Sequence, residues 1–144
     1  MLSPIQTRRH WIRKIVFEPR LKTIEESKCE VGISVKERKC GDHWHVKLNV
    51  RLQAEQDGDT NYRGQFEFEG IFDVHPDFPK DKITDLVRMN GGAILYGAVR
   101  ELILTLTSRS NHGPFEMPTM DTRVFLQRPE TEDDTKKSPK TPKD

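Results

Sequence analysis

Cys40, His43 and His45 stand close enough in the chain to be weighed as metal ligands. A structural zinc site needs four such groups converging on one point. Here a fourth is missing and the group straddles a turn, so it reads as polar residues on a hairpin. Ser108, His112 and Asp121 have the residue types of a nucleophilic triad, but neither a nucleophile elbow nor a glycine-rich oxyanion loop surrounds Ser108. Glu67 and Glu69 fall two residues apart on one face of a strand, the spacing of solvated surface positions rather than of a tuned acid pair. Gly91-Gly92 lacks the further glycine and the lysine of a phosphate loop and reads as a helix start or a break just before one. These residues point to no enzyme, no metal and no cofactor.

The elements that carry these residues follow from hydrophobic periodicity. Between Asn90 and Asn111, Ile94, Leu95, Ala98, Val99, Leu102, Ile103 and Leu106 recur at three- and four-residue spacing, which predicts the main helix. Only Arg100, Glu101 and Thr105 are clearly hydrophilic between Ala93 and Leu106, so the helix wants cover on more than one side. Upstream, HWIRKIVFE has Trp11, Ile15 and Phe17 interleaved with Ile12 and Val16, a strand contacted from both faces that ends at Pro19. Val31, Ile33 and Val35 mark a second strand, and Trp44, Val46, Leu48, Val50 and Leu52 a third. Gly41-Asp42 turns between them. After Asp57-Gly58-Asp59, Tyr62, Phe66, Phe68, Phe72 and Val74 form the apolar face of a fourth. The segment from Asp81 to Met89 is a short helix or the first turns of the main one, and Thr119 to Gln127 is a brief second helix. The expected fold is α+β: a four-stranded antiparallel sheet packed on one long helix plus a short C-terminal helix.

Residues 1–128 make one domain, and from Pro129 on the chain has no large apolar side chain, which predicts a disordered charged tail over 129–144. Cys29 and Cys40 bracket one strand and would stand about 36 Å apart if it is straight, so free thiols are expected. No apolar run is long enough to span a membrane and no signal-like leader is visible, which predicts a cytoplasmic protein without membrane insertion. The first 22 residues hold six cations against Glu18 alone, but solvated strand faces explain this better than nucleic-acid binding.

Phe115 and Met117 lie in a loop stiffened by Pro114 and Pro118. They either pack beneath the C-terminal segment or form a groove wall that receives extended apolar peptide. Leu21 and Ile24, in the crossover after Pro19, have the same two readings. Four strands make a sheet about 19 Å wide and one helix covers about 10 Å of it, so part of the apolar face is left for a second subunit or an apolar partner.

The order of four strands, a long helix, a proline-rich loop and a short last helix resembles the protein-export chaperone SecB family. HWIRKIVFEP looks like that family's opening strand, GIFDV like its Gly-Ile-Phe strand ending, ILYGAVRELILTLTSR like its main helix and PFEMPTM like the loop that follows. The resemblance runs from about Gln6 to Phe125 and implies an ATP-independent holdase for unfolded or extended clients, working in protein export as a homotetramer without a cofactor. It implies client contacts at Phe17, Leu21, Ile24, Phe115 and Met117, and subunit contacts at Gly64, Phe66 and Phe68. Leu95, Val99 and Leu102 of the helix are the matching interface candidates. It also implies the ATPase SecA as a partner, against which Arg63 and Gln65 weigh, because they stand where the family's acidic strand surface would lie. Gly91-Gly92 replaces a Cys-Pro pair, and Gly97-Ala98 a Pro-Tyr pair, of the family helix. A SecB-like chaperone for one partner such as an antitoxin, or a homo-oligomeric adaptor, fits the same features.

Overall fold

Four strands form one antiparallel sheet: β1 (Ile5–Pro19), β2 (Cys29–Cys40), β3 (His43–Ala54) and β4 (Tyr62–Val74), in the spatial order β1-β4-β3-β2. The computed structural model describes residues 1–55 and 58–127, so the proposed charged tail lies outside the described residues. The β2–β3 hairpin closes through Gly41, whose φ of +59° is the left-handed conformation a two-residue turn requires, with Cys40 directly opposite His43. Cys29 and Cys40, at the two ends of β2, are free.

The sheet's inner face follows the alternation expected for β3 and β4: Val46, Leu48, Val50, Leu52, Phe66, Phe68 and Phe72 are all buried. β1 departs from it. It is longer than the expected strand, and register shifts between Thr7 and Arg9 and between Ile12 and Lys14 rephase it against β4. Ile12 therefore pairs with Phe68, Ile15 with Phe66 and Phe17 with Gly64 on the inner side. Trp11 and Val16 fall on the outer side, opposite Glu69 and Gln65. The strict alternation that grouped Trp11 with Ile15 is corrected by these bulges, which add a residue to one strand and swap faces beyond it.

The helix is continuous rather than broken at Gly91. A short 3-10 turn (Lys80–Lys82) leads into α1 (Ile83–Leu86), a π-helical turn (Val87–Gly91) and then α2 (Gly92–Ser108). Both glycines are explained by close approach instead of helix initiation. A Cβ on Gly92 would lie 2.9 Å from the Phe125 ring, and one on Gly91 would lie 3.1 Å from Val46. α2 crosses β3 and β4, burying Leu95, Val99 and Ile103 completely.

The expected second helix is a 3-10 segment, Thr122–Leu126, begun by Asp121, whose carboxylate accepts from the Arg123 amide at 2.9 Å. It packs over β2 and the π turn and inserts Phe125 beneath Tyr96, with ring centroids 6.0 Å apart. Arg88, 4% exposed, locks this arrangement: it is ion-paired to Glu37 of β2 and donates to the carbonyls of Phe125 at 3.0 Å and Gln127 at 3.1 Å. Buried charge is tolerable there because the guanidinium fork is matched by a carboxylate and two carbonyls.

Candidate functional site

An aromatic group gathers where the end of β1, the start of β4 and the loop after α2 meet. The Tyr62 ring stacks on Phe17 at 5.6 Å, meets His112 edge-on at 5.6 Å and lies 6.4 Å from Phe115. Its hydroxyl donates to the Gly113 carbonyl, and burial pushes the phenol's pKa up, which keeps it a donor. Gly113, at φ +79°, turns the chain after α2. The Phe115 amide then donates to the buried Thr107 hydroxyl at 2.8 Å, and that hydroxyl donates to Ile103 O at 2.7 Å, fixing the loop to the helix end.

The crossover after β1 is pinned to the same place. Asn61 accepts from the Ile24 amide at 2.8 Å and donates to the Ile24 carbonyl at 3.2 Å, while its own amide donates to Ser27 Oγ at 2.8 Å. Asn111 Nδ2 donates to the Arg20 carbonyl at 2.9 Å. His112 Nε2 donates to the same carbonyl, which places the ring proton on Nε2 and leaves Nδ1 facing the Thr23 hydroxyl at 3.0 Å. A loop tied at Arg20, Thr23 and Ile24 holds Leu21, 95% exposed, as a fixed apolar crest above the aromatic floor.

Phe17 and Phe115, singled out in the sequence, are half-buried around this floor, and Ile24 is half-buried in the crossover. Met117 is not available: its side chain is 1% exposed, buried in the core. Among the proposed subunit contacts, Phe66, Phe68, Leu95 and Val99 are enclosed between this chain's own sheet and helix, so their side chains have no surface left for a neighbour. Gly64 pairs with Phe17, and Leu102 is half-buried. Other large apolar side chains are exposed, among them Ile12 (50%) and Ile15 (42%) on β1 and Ile94 and Leu104 on the helix. Tyr62, Asn61, Asn111 and His112, which build the site, were missed as a group. Their signal was polar residues with no surface role at the two strand and helix ends that must meet.

The chemical candidates separate. Ser108 Oγ donates to Leu104 O at 2.6 Å, His112 serves the crossover, and Asp121 is taken by Arg123, which holds its carboxyl down at about 2. His43 lies 3.3 Å from Asp73, and His45 lies 3.2 Å from Glu69 and stacks on Trp11 at 5.9 Å. Among the described residues no three His, Cys, Asp or Glu side chains are grouped to hold a metal. No described helix is long and apolar enough to cross a membrane. What the site offers is an apolar, aromatic surface with a fixed crest, suited to non-directional capture of side chains at about 1.5–3 kcal/mol for each large one buried.

An α+β domain with an uncovered apolar margin on β1 and an exposed leucine on a pinned crossover beside an aromatic group has the features of a polypeptide-binding module. The chain belongs to the SecB family: the model for the preprotein translocase subunit SecB matches residues 4–132. It is similar to the protein-export protein SecB of Bartonella bacilliformis, 25% identical over 102 residues, which is 70% of this chain and 64% of that relative. The match thus spans less than two thirds of the relative's length. The fold matches that of a Mycobacterium tuberculosis SecB-like chaperone in complex with a ChAD peptide from the HigA1 antitoxin. That match has a TM-score of 0.67 and 16% identity, and covers 82% of this chain and 91% of the other.

Proposed function

We propose that the protein is an ATP-independent, non-enzymatic holdase of the cytoplasm that captures extended or unfolded clients at the recess formed by Phe17, Tyr62 and Phe115 under Leu21. The observation that carries this reading is the pinned crossover: a leucine is held almost wholly in solvent by hydrogen bonds at Arg20, Thr23 and Ile24. Such exposure opposes folding of the isolated chain and makes sense when the side chain is buried by a partner. The bare inner side of β1, with Ile12 and Ile15, supports assembly into a homo-oligomer, with the outer helix face at Ile94 and Leu104 as a second contact. A tetramer uses both.

Suppression of aggregation of a chemically unfolded model client, followed by light scattering, tests the reading. The wild type should suppress it at near-equal subunit ratio, and Leu21→Asp/Phe115→Asp, with unchanged circular dichroism and oligomer size, should not. Absence of suppression by the wild type ends the proposal.

A narrower client range is the second reading, supported by the fold shared with a chaperone solved with an antitoxin peptide. It predicts tight binding of one partner and indifference to generic unfolded chains. Delivery to SecA has less support, since Arg63 and Gln65 occupy the outer face of β4 near its start.

A further inference from the structure

The sheet's outer face, away from α2, carries a charge pattern that the client site does not use. Several of its carboxylates are answered from within. Glu69 lies 3.2 Å from His45 and 4.0 Å from both Arg13 and Lys47, Asp73 accepts from Arg8 at 2.6 Å, and Asp59 is shared by Arg20 and Arg63. The cations are not all answered. Arg9 sits over the Trp11 ring at 4.9 Å, and Arg51 is exposed with no ion pair among the described residues. Register places Arg51 between Gln65 of β4 and Gly32 of β2, and Gly32 adds no side chain to screen it.

At this end of β3 and β4 the surface opens into a cleft of about 410 Å³, lined among others by Arg51, Arg63, Gln53, Gln65, Glu18 and Val16. Arg63 keeps most of its guanidinium in solvent, with its side chain 61% exposed, although it lies 3.5 Å from Asp59. Val16, displaced to this face by the β1 bulge, is 41% exposed and gives the cleft an apolar wall.

We propose that this cleft is a second docking surface, separate from the client site, for an extended protein segment that presents acidic side chains beside an apolar one. Its carboxylates meet Arg51 and Arg63, whose planar donors suit bidentate pairing, and its apolar side chain rests on Val16. A nucleic acid fits less well. Glu18 lies within the cleft and Glu67 and Glu69 within the same face, and each would oppose a continuous phosphate backbone. An extended peptide avoids them, because side chains on one of its faces recur about every 7 Å and can be acidic only where an arginine waits.

Fluorescence anisotropy on the full chain tests this with three labelled probes at low salt: a peptide alternating Glu and Leu, its counterpart alternating Lys and Leu, and an oligo-dT of similar length. The acidic peptide should bind roughly tenfold more tightly than the lysine peptide, as expected for two charge-assisted contacts. Arg51→Glu/Arg63→Glu should invert that preference, and the milder Arg51→Gln/Arg63→Gln should bring the ratio towards one. Leu21→Asp/Phe115→Asp should leave the ratio unchanged. Circular dichroism and thermal melting check folding, and the Gln pair stands alone should the Glu pair unfold. Equal binding of both peptides, an acidic preference that survives the Gln pair or is lost in the client-site pair, or tighter binding of oligo-dT overturns the proposal. The outcome is independent of aggregation suppression, so either proposal can fail without the other.

Discussion

The inner face of one sheet is finished in two ways. Over β3 and β4 it is sealed by α2, and over β2 by the Thr122–Leu126 turn, so that Val46, Leu48, Phe66 and Phe72 reach zero exposure. Over β1 the cover stops: the π turn reaches this strand and Ile5 near its start is buried, but Ile12 and Ile15, facing the same side, stay about half exposed. The same type of side chain is thus core on one strand and surface on its neighbour. The difference is one of width, because a helix about 10 Å across cannot roof four strands. It separates the part of the domain that makes the chain fold from the part left for other chains.

The sharpest way to break the sealed side is to remove its lock. Phe125→Ala should cost about 3–5 kcal/mol, because the ring is buried between Gly92 and Tyr96 and nothing can move in to replace it. Arg88→Met should cost a comparable amount, about 3–5 kcal/mol, by removing the guanidinium that pairs with Glu37 and donates to the Phe125 and Gln127 carbonyls. Urea unfolding measures both. If Arg88→Met unfolds at the wild-type midpoint, the clasp between β2 and the C-terminal turn is not structural.

The open side should respond differently. Ile12→Asp/Ile15→Asp should change the stability of the isolated subunit by under about 1 kcal/mol, since both side chains already meet water. It should nevertheless lower the number of subunits counted by light scattering. A variant that unfolds outright would show that β1 is sealed within its own chain. One that keeps its full subunit number would move the contact to Ile94 and Leu104 of the helix.

Strand number, antiparallel pairing, the Gly41 turn and the uncovered margin were legible from period-two alternation and simple widths. The bulges in β1 were not, because an inserted residue leaves the composition of a strand unchanged while exchanging its faces. Ile12 and Ile15 came to share a side for that reason. Gly91-Gly92 looked like punctuation, since the groups that crowd their missing Cβ atoms are distant in sequence: Phe125, more than thirty residues on, for Gly92, and Val46 and Phe72 of the sheet for Gly91. Of the proposed site, Leu21, Ile24 and Phe115 could be named because large apolar side chains in loops stand out, and Phe17, on β1, because the family resemblance implies it. Met117 looked the same and is core. What divides them is the hydrogen bonding of Asn61, Asn111 and His112 to the crossover, and such long-range pairing leaves no periodic trace.

The smallest expected effect lies at the start of β1, where Arg8 joins β1 to Asp73 on β4 at 2.6 Å. The hydrogen bond from Arg8 is the main cause that holds the Asp73 carboxyl below its ordinary 3.8, with the charges of Arg8 and His43 adding to it. A carboxylate whose folded pKa is depressed contributes stability that is fully present above its unfolded value and is lost as pH falls through the folded one. Between pH 7 and pH 5 this pair should therefore leave stability flat, and its contribution should fade only below 3.8. Because the two side chains are 52% and 39% exposed, screening keeps the contribution within about 0–1 kcal/mol. Arg8→Gln should lower the urea midpoint slightly at pH 5, and the gap to wild type should close as the pH drops below 3.8. A gap that widens there would mean that Arg8 acts on β1 by some route other than Asp73. A gap as large as that of Arg88→Met would mean that the open strand is held as firmly as the sealed ones, against the division drawn from Ile12 and Ile15.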